Sequence, residues 1–119
     1  MKYKHYAPNA EVYLLQGPLP AVADYLRQHA PKGAYALCFD GEADALPIPS
    51  LTYGHRETPS EQARQLFDRL RATDDLGAST VYVRAPEPSG LGLALYNRLL
   101  RAAQFRVIHL AAGTRKGKG

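Results

Sequence analysis

Cysteine is almost absent from this sequence of 119 residues, which contains a single one, Cys38. A disulfide framework and a structural zinc site built on several cysteines are therefore excluded. Because Cys38 lies in the apolar run AYALCF, we expect it to be a small buried hydrophobe in a reduced, cytoplasmic setting. No apolar run approaches the roughly 18 residues that span a bilayer, and no signal-peptide pattern follows Met1, so no membrane association is predicted.

Positive charge is in small excess and is concentrated at the two ends of the chain. The formal net charge is +4, and the terminal basic residues are Lys2, Lys4, Arg115, Lys116 and Lys118. This leaves 10 basic residues against all 11 acidic ones between residues 7 and 113, so the body is nearly neutral. Nucleic-acid-binding domains usually gather basic charge on one folded face. The distribution argues against direct nucleic-acid binding and predicts a flexible basic tail over 111–119.

Strand and helix patterns alternate along the rest of the chain. The predicted strands are EVYLLQG (11–17), AYALCFD (34–40), SLTYG (50–54), TVYVR (80–84) and FRVIHL (105–110). Helical stripes begin at Leu19, Pro59 and Ser89. This order predicts an α/β fold with an open, mostly parallel five-stranded sheet and helices on both faces. We expect a linker segment over 1–10, the domain over 11–110 and the tail beyond.

The second helix has the clearest start signal. Thr58-Pro59-Ser60-Glu61 places a hydroxyl at the N-cap, a proline at the first helical position and a glutamate three residues after the cap. The pattern predicts a capping box in which the Thr58 and Glu61 side chains bind backbone N–H groups.

Of two turns that follow strands, only the second is a candidate for binding phosphate. Gly17-Pro18-Leu19-Pro20 follows the first strand, but it lacks a three-glycine fingerprint, and its prolines remove two backbone donors. Ser89, Gly90 and Gly92 form a candidate anion-binding site, because free N–H groups converge where a helix begins. Alternatively, the two glycines let this helix pack close to the sheet.

Other reactive patterns are incomplete. Asp40, Glu42 and Asp44 alternate like the start of a calcium loop, but the later glycine and glutamate of that loop are missing. We therefore expect these acids to form a solvated loop. The four histidines lack metal-ligand spacing, and there is neither a nucleophile elbow nor a P-loop lysine. The residues indicate no catalytic group and no metal site, and they leave open whether the chain alone is an enzyme.

The leading segment carries the strongest functional signal. Lys2-Tyr3-Lys4-His5-Tyr6 interleaves positive charge with rings and is held extended just before Pro8. Lysines suit phosphate or carboxylate groups, and tyrosines suit flat bases or packing with a hydroxyl handle. Taken alone, the segment is equally compatible with a disordered polar leader.

KYKHYAP followed by a VYLL strand resembles the interdomain linker and first strand of the two-domain threonylcarbamoyl-AMP synthases. Two further stretches, ARQLFDRLRATDD (63–75) and GLGLALYNRLLRAA (90–103), are similar to their carboxy-terminal accessory domain. The resemblance implies a Rossmann-like fold. It also implies that the linker lies across a catalytic cleft as a gate, with Lys2, Tyr3, Lys4, His5 and Tyr6 as the gating residues.

The resemblance further implies an activity for the whole protein. These nucleotidyltransferases join L-threonine, bicarbonate and ATP into threonylcarbamoyl-AMP, which serves the modification of an adenosine beside the tRNA anticodon. Catalysis, ATP and magnesium belong to an amino-terminal domain, so this chain would bind no cofactor itself. Its partner would be that catalytic domain, in cis or in trans. In the family, Ser-Pro-Gly precedes the methionine with which this sequence starts, and a basic closing tail is not typical.

Three functions follow as hypotheses. The first is an accessory and gating domain of threonylcarbamoyl-AMP synthesis. The second is a stand-alone domain that binds or hydrolyses ATP or AMP, supported by the open sheet and the Ser89–Gly92 turn. The third is tRNA binding through the basic ends, which the nearly neutral body argues against.

Overall fold

The computed structural model describes residues 8–88 and 90–110, and it confirms the predicted α/β fold. Strands and helices alternate within these residues in the expected order, with one 3₁₀ turn at Ala43–Ala45. The strands are β1 (Glu11–Gln16), β2 (Ala34–Cys38), β3 (Ser50–Thr52), β4 (Thr80–Arg84) and β5 (Val107–His109). The helices are α1 (Leu19–His29), α2 (Pro59–Asp75) and α3 (Leu91–Ala102).

All of these strands run parallel, in the order β3-β2-β4-β1-β5. β4 is the central strand, with Val81 opposite Val12 of β1 on one side and opposite Tyr35 of β2 on the other. Every residue of β4 is buried. The three consecutive residues Val81, Tyr82 and Val83 are all buried hydrophobic side chains, as expected of a strand covered on both faces.

Helices cover both faces of the sheet. α2 and α3 lie on one face and bury Leu66, Leu70, Leu95 and Leu99 against Val12, Leu14, Val81 and Val83. α1 lies on the other face and buries Val22, Ala23 and Leu26 against Leu15, Ala36 and Cys38. Each buried leucine or valine contributes about 1.5–3 kcal/mol through loss of apolar surface from water. The core therefore consists of two apolar layers separated by the sheet.

The ends of several elements differ from the sequence prediction, and β1 and β3 end one and two residues earlier than expected. β2 ends at Cys38 because the next N–H, that of Phe39, donates to the Glu42 carboxylate at 3.0 Å. β5 begins at Val107 because Gln104 and Phe105 are left-handed, with φ of 51° and 65°. α3 begins at Leu91, after Gly90 as N-cap.

The predicted capping box at α2 is wrong. Thr58 occupies the N-cap position, but its side chain makes no capping hydrogen bond. The Glu61 carboxylate instead accepts from the backbone N–H of His55 at 3.0 Å. Gln62 donates its Nε2 to the carbonyls of His55 (2.7 Å) and Arg56 (3.0 Å). The first turn of α2 therefore binds the preceding loop at His55 and Arg56. These two residues lie outside the four residues of the capping-box motif.

Among the described residues, no helix combines the length and the apolar character that crossing a membrane requires.

The two-layer core predicts a difference between two leucines of α3. Leu99 is completely buried, whereas Leu93 is 45% exposed. Leu99→Ala should lower the free energy of unfolding by about 2–5 kcal/mol, because it leaves a cavity between α3 and the sheet. Leu93→Ala should change it by less than about 0.5 kcal/mol. Urea denaturation of both variants measures the difference, and equal effects would contradict the assigned packing.

Candidate functional site

The helices that follow the neighbouring strands β1 and β4 lie on opposite faces of the sheet. β1 leads into α1 on one face of the sheet, whereas its neighbour β4 leads into α3 on the opposite face. The two connections therefore diverge and leave a crevice beyond the carboxyl ends of these strands. In open α/β sheets, this switch point is where ligands bind.

A cavity of about 320 Å³ occupies this crevice. Gln16 and Arg84 line it from the ends of β1 and β4. Phe39 lines it from the end of β2, while Arg56 and Glu87 come from the loops before α2 and α3. Three strands and two loops thus converge on one concave site.

The best-defined interaction beside this cavity is a buried ion pair. Arg84 donates Nε to Glu42 Oε1 at 3.0 Å and Nη2 to Oε2 at 2.8 Å. Its Nη1 donates to the Gly17 carbonyl. Arg84 is 4% exposed and Glu42 is 9% exposed. Two charges removed from water in this way are tolerated only because the bonding is bidentate and nearly complete.

The ion pair corrects one sequence expectation. We expected Asp40, Glu42 and Asp44 to form a solvated loop, and for Glu42 this is wrong, since its carboxylate is buried against Arg84. The signal in the sequence was Arg84 itself, an arginine that closes an otherwise apolar strand. A buried arginine requires a carboxylate, but only the folded chain identifies which one.

Aromatic rings complete the wall around Arg84. The centre of its guanidinium lies 5.5 Å from the centroid of the Phe39 ring, a cation–π distance. Phe39 packs on Tyr53 at 5.2 Å between centroids, and the buried Tyr53 hydroxyl donates to the Arg84 carbonyl. Burial raises the pKa of Tyr53, so this hydroxyl remains a neutral donor. Arg84 is held by both its side chain and its backbone.

The remaining charges of the cavity lie at its mouth. Arg56 and Glu87 are both exposed, and in the described part of the chain no ion pair occupies either side chain. The Gln16 Oε1 accepts a hydrogen bond from the Tyr96 hydroxyl at 3.2 Å, which leaves the amide NH₂ of Gln16 available. Among its described lining residues, the cavity therefore offers one exposed cation, one exposed anion and one neutral donor.

The candidate anion site at the start of α3 is described only in part. Ser89 lies outside the described residues. Gly90 has φ 56° and ψ −135°, a conformation that side chains disfavour. A Cβ at Gly92 would collide with the Glu87 carbonyl oxygen. Both glycines are thus required by the backbone, Gly90 by its conformation and Gly92 by its contact with the preceding loop. Neither fact tests close packing of α3 on the sheet, and anion binding by Ser89, Gly90 and Gly92 stays a prediction.

The predicted gating residues, Lys2, Tyr3, Lys4, His5 and Tyr6, also lie outside the described residues. Within the ranges that are described, no group of three or more histidine, cysteine, aspartate or glutamate side chains is placed to hold a metal ion.

Cys38 is a buried, free thiol, as the apolar run predicted. Its Sγ lies 3.7 Å from the Leu51 carbonyl oxygen. Burial, with a smaller effect of the nearby Glu42 carboxylate, raises the pKa of the Cys38 thiol to about 12. The thiol is therefore protonated at neutral pH, and it serves packing rather than nucleophilic chemistry.

An all-parallel α/β domain with its crevice at a switch point belongs to the class of Rossmann-like domains. Comparison with known proteins defines the family within that class. The family described as threonylcarbamoyl-AMP synthase, C-terminal domain, matches residues 1–104, and this chain belongs to it. The resemblance found in the sequence is thereby confirmed.

Relatives show the same domain within longer proteins. The threonylcarbamoyl-AMP synthase of Pyrococcus abyssi is 35% identical over 113 residues, which cover 91% of this chain and 32% of that protein. A crystal structure of P. abyssi Sua5 complexed with L-threonine matches with a TM-score of 0.72 and 34% identity, covering 92% of this chain and 32% of that one. This chain thus spans about a third of the length of these relatives.

The domain has also been solved by itself. The crystal structure of the C-terminal Sua5 domain from a hypothetical Sua5 protein of Pyrococcus horikoshii has a TM-score of 0.60 and 27% identity. It covers 87% of this chain and 99% of that one.

The buried ion pair predicts a strong effect of one neutralising substitution. Glu42→Gln leaves the Arg84 guanidinium buried without its counter-charge, so the free energy of unfolding should fall by about 3–5 kcal/mol. The matched control is Asp44→Asn, which removes the same charge two residues away at an exposed position and should cost less than about 0.5 kcal/mol. Urea denaturation measures both. Similar stabilities of the two variants would mean that the pair contributes little.

The raised pKa of Cys38 predicts both its reactivity and a loss of stability in alkali. Iodoacetamide at pH 8 should label Cys38 only after unfolding in urea. Because the folded thiol titrates near 12 and the unfolded one near its usual 9.0, the folded state holds more protons between these values. Stability should therefore fall as the pH rises from 9.0 towards 12. Cys38→Ala should make this fall less steep, and rapid labelling of the native protein would contradict the burial.

Proposed function

We propose that this chain is the accessory and gating domain of an L-threonylcarbamoyladenylate synthase and is not catalytic alone. The observation that carries the proposal is the match of residues 1–104 to the C-terminal domain of that family, together with the 32% of the P. abyssi relative that it covers. In such a relative, two thirds of the length is available for a separate catalytic domain.

The reaction proposed for the complete protein joins L-threonine, bicarbonate and ATP into threonylcarbamoyl-AMP with release of pyrophosphate, for tRNA modification in the cytoplasm. ATP and magnesium would be held by the catalytic domain, which acts as the partner of this chain in cis or in trans. The family membership supports this assignment. The contribution proposed for the present chain is to position the linker over the catalytic cleft.

The attachment of the linker to the domain supports this role. Directly after the linker motif, the backbone N–H of Asn9 donates to Asp74 Oδ1 near the end of α2 at 3.1 Å. An acidic side chain at a helix C-terminus is unfavourable, since the last carbonyls carry partial negative charge. The hydrogen bond from Asn9 offsets part of that cost.

Exposed apolar side chains lie beside the same end of the sheet. Leu76, after α2, is 53% exposed, and Phe105, before β5, is 72% exposed. They flank the amino end of β1, because β4 and β5 are its two neighbours. Phe105 is also held in a left-handed conformation that costs about 1–3 kcal/mol for a residue of this kind. These features favour a neighbouring domain at this end of the molecule.

A linker substitution tests the gating role. The catalytic domain of the P. abyssi relative is joined ahead of Met1, and pyrophosphate release from ATP is measured with L-threonine and bicarbonate. Removal of residues 1–119 should change the rate by about fivefold or more, the lower range of coupling between sites. Tyr3→Ala with Lys4→Ala should reproduce most of that change.

The matched control removes two lysines from the tail instead. Lys116→Ala with Lys118→Ala takes away two positive charges, one more than the linker variant, but should leave the rate unchanged. If the tail variant acts as strongly as the linker variant, net charge rather than gating is responsible. If neither variant nor the removal of the domain alters the rate, the accessory role itself is wrong.

Nucleotide binding by the chain alone is a second candidate, because the cavity lies at the switch point where Rossmann-like domains bind nucleotides. Its charge balance is less favourable to that candidate, since Glu87 lines the cavity and Arg84 is already neutralised by Glu42.

A further inference from the structure

The cavity between β1 and β4 lies at the carboxyl edge of the sheet, and an inference about what it binds does not depend on the proposed accessory function. Its volume of about 320 Å³ is at the lower end of the range of about 300–1,000 Å³ that ligand pockets occupy. It suits a small molecule better than a nucleotide with several phosphates.

The inner wall of the cavity carries no net charge. All three nitrogens of the Arg84 guanidinium donate hydrogen bonds, two of them to Glu42 and one to Gly17. The pair is buried and packed over the Phe39 ring, so it provides a rigid and electrically balanced wall. Three of the five guanidinium N–H groups are used in this way, and Glu42 balances the charge of Arg84.

The backbone around the cavity supplies few donors. Pro18, Pro86 and Pro88 line it and have no N–H group. Phosphate sites of Rossmann-like domains depend on such N–H groups at a helix start. The cavity therefore lacks the usual means of holding a polyphosphate, although it lies where one is expected.

The polar side chains at the mouth differ in sign. The Arg56 guanidinium and the NH₂ group of Gln16 can donate to a carboxylate, and the Glu87 carboxylate can accept from an ammonium group. A cation and an anion that line one small cavity complement a molecule that carries both charges.

We propose that this cavity binds a small zwitterion, specifically a free α-amino acid, with its carboxylate on Arg56 and Gln16 and its ammonium group on Glu87. The Phe39 ring and the three prolines form apolar walls that would contact its side chain. Binding is non-covalent, and the carboxyl edges of β1 and β4 position the ligand.

Calorimetric titration of the purified chain tests the proposal. The probes are glycine, L-serine, L-threonine and L-phenylalanine, with acetate and methylammonium as ligands that carry only one of the two charges. At least one amino acid should bind saturably with a Kd of about 1 mM or tighter. Acetate and methylammonium should each bind about tenfold more weakly or not at all, because each lacks one charged contact.

Paired variants assign the binding to the cavity. Arg56→Gln and Glu87→Gln should each weaken binding by about tenfold, the effect of losing one charged hydrogen bond. Their controls are Arg64→Gln on α2 and Glu57→Gln beside Arg56, since both residues are exposed and lie outside the cavity lining. The controls should leave the Kd unchanged. All four positions are exposed, so thermal denaturation should show an intact fold.

Three results would overturn the proposal. The first is the absence of heat with every amino acid at about 10 mM, well above the expected Kd. The second is binding that Arg56→Gln and Glu87→Gln leave unchanged. The third is tighter binding of ATP or AMP than of any amino acid, which would assign the cavity to nucleotides. None of these results bears on the linker experiment, which measures a change in reaction rate and not the binding of an amino acid to this cavity.

Discussion

The ion pair between Arg84 and Glu42 is the constraint on which the carboxyl edge of the sheet depends. It joins the end of the central strand β4 to the loop after β2, and through Gly17 it also holds the turn after β1. Removing two charges from water is unfavourable unless nearly all of their hydrogen bonds are made. The pair therefore tolerates only one arrangement of these three segments. That arrangement defines the wall of the cavity.

The two ends of the sheet have different features. At the amino end, β1 begins beside the Asn9–Asp74 hydrogen bond and is flanked by the exposed Leu76 and Phe105. At the carboxyl end, the same strand finishes at Gln16 in the cavity. Six residues of parallel strand, about 20 Å long, separate the two ends. The features proposed to meet a neighbouring domain and the cavity proposed to bind a small ligand therefore lie at opposite ends of the sheet.

Sequence reasoning was most accurate where one periodicity determines the structure. The apolar run of β4 and the helical stripes of α1 and α2 gave elements close to those observed, because burial on one or both faces leaves a repeating pattern. Sequence reasoning failed where a polar side chain has more than one possible partner and only the folded chain determines which of them it binds. Glu61 was expected to close a capping box at the N-cap and instead binds the N–H of His55. Glu42 was expected in solvent and is buried against Arg84, 42 residues away in the sequence.

The cavity was beyond sequence reasoning for a different reason. Its position depends on β4 lying beside β1, although 63 residues separate Gln16 from Thr80 and no local pattern records strand order. Arg56, Glu87 and Gln16 belong to three unrelated segments, and each by itself is an ordinary polar residue. The family match assigns the chain to the C-terminal domain family of threonylcarbamoyl-AMP synthases, but a cavity whose described lining carries an exposed cation and an exposed anion follows from the folded chain alone. Because β1 is hydrogen-bonded on both sides, to β4 and β5, an occupant of the cavity could influence the amino end only by moving the whole strand. The buried core on both faces makes such a movement costly, so ligand binding and linker positioning should be largely independent.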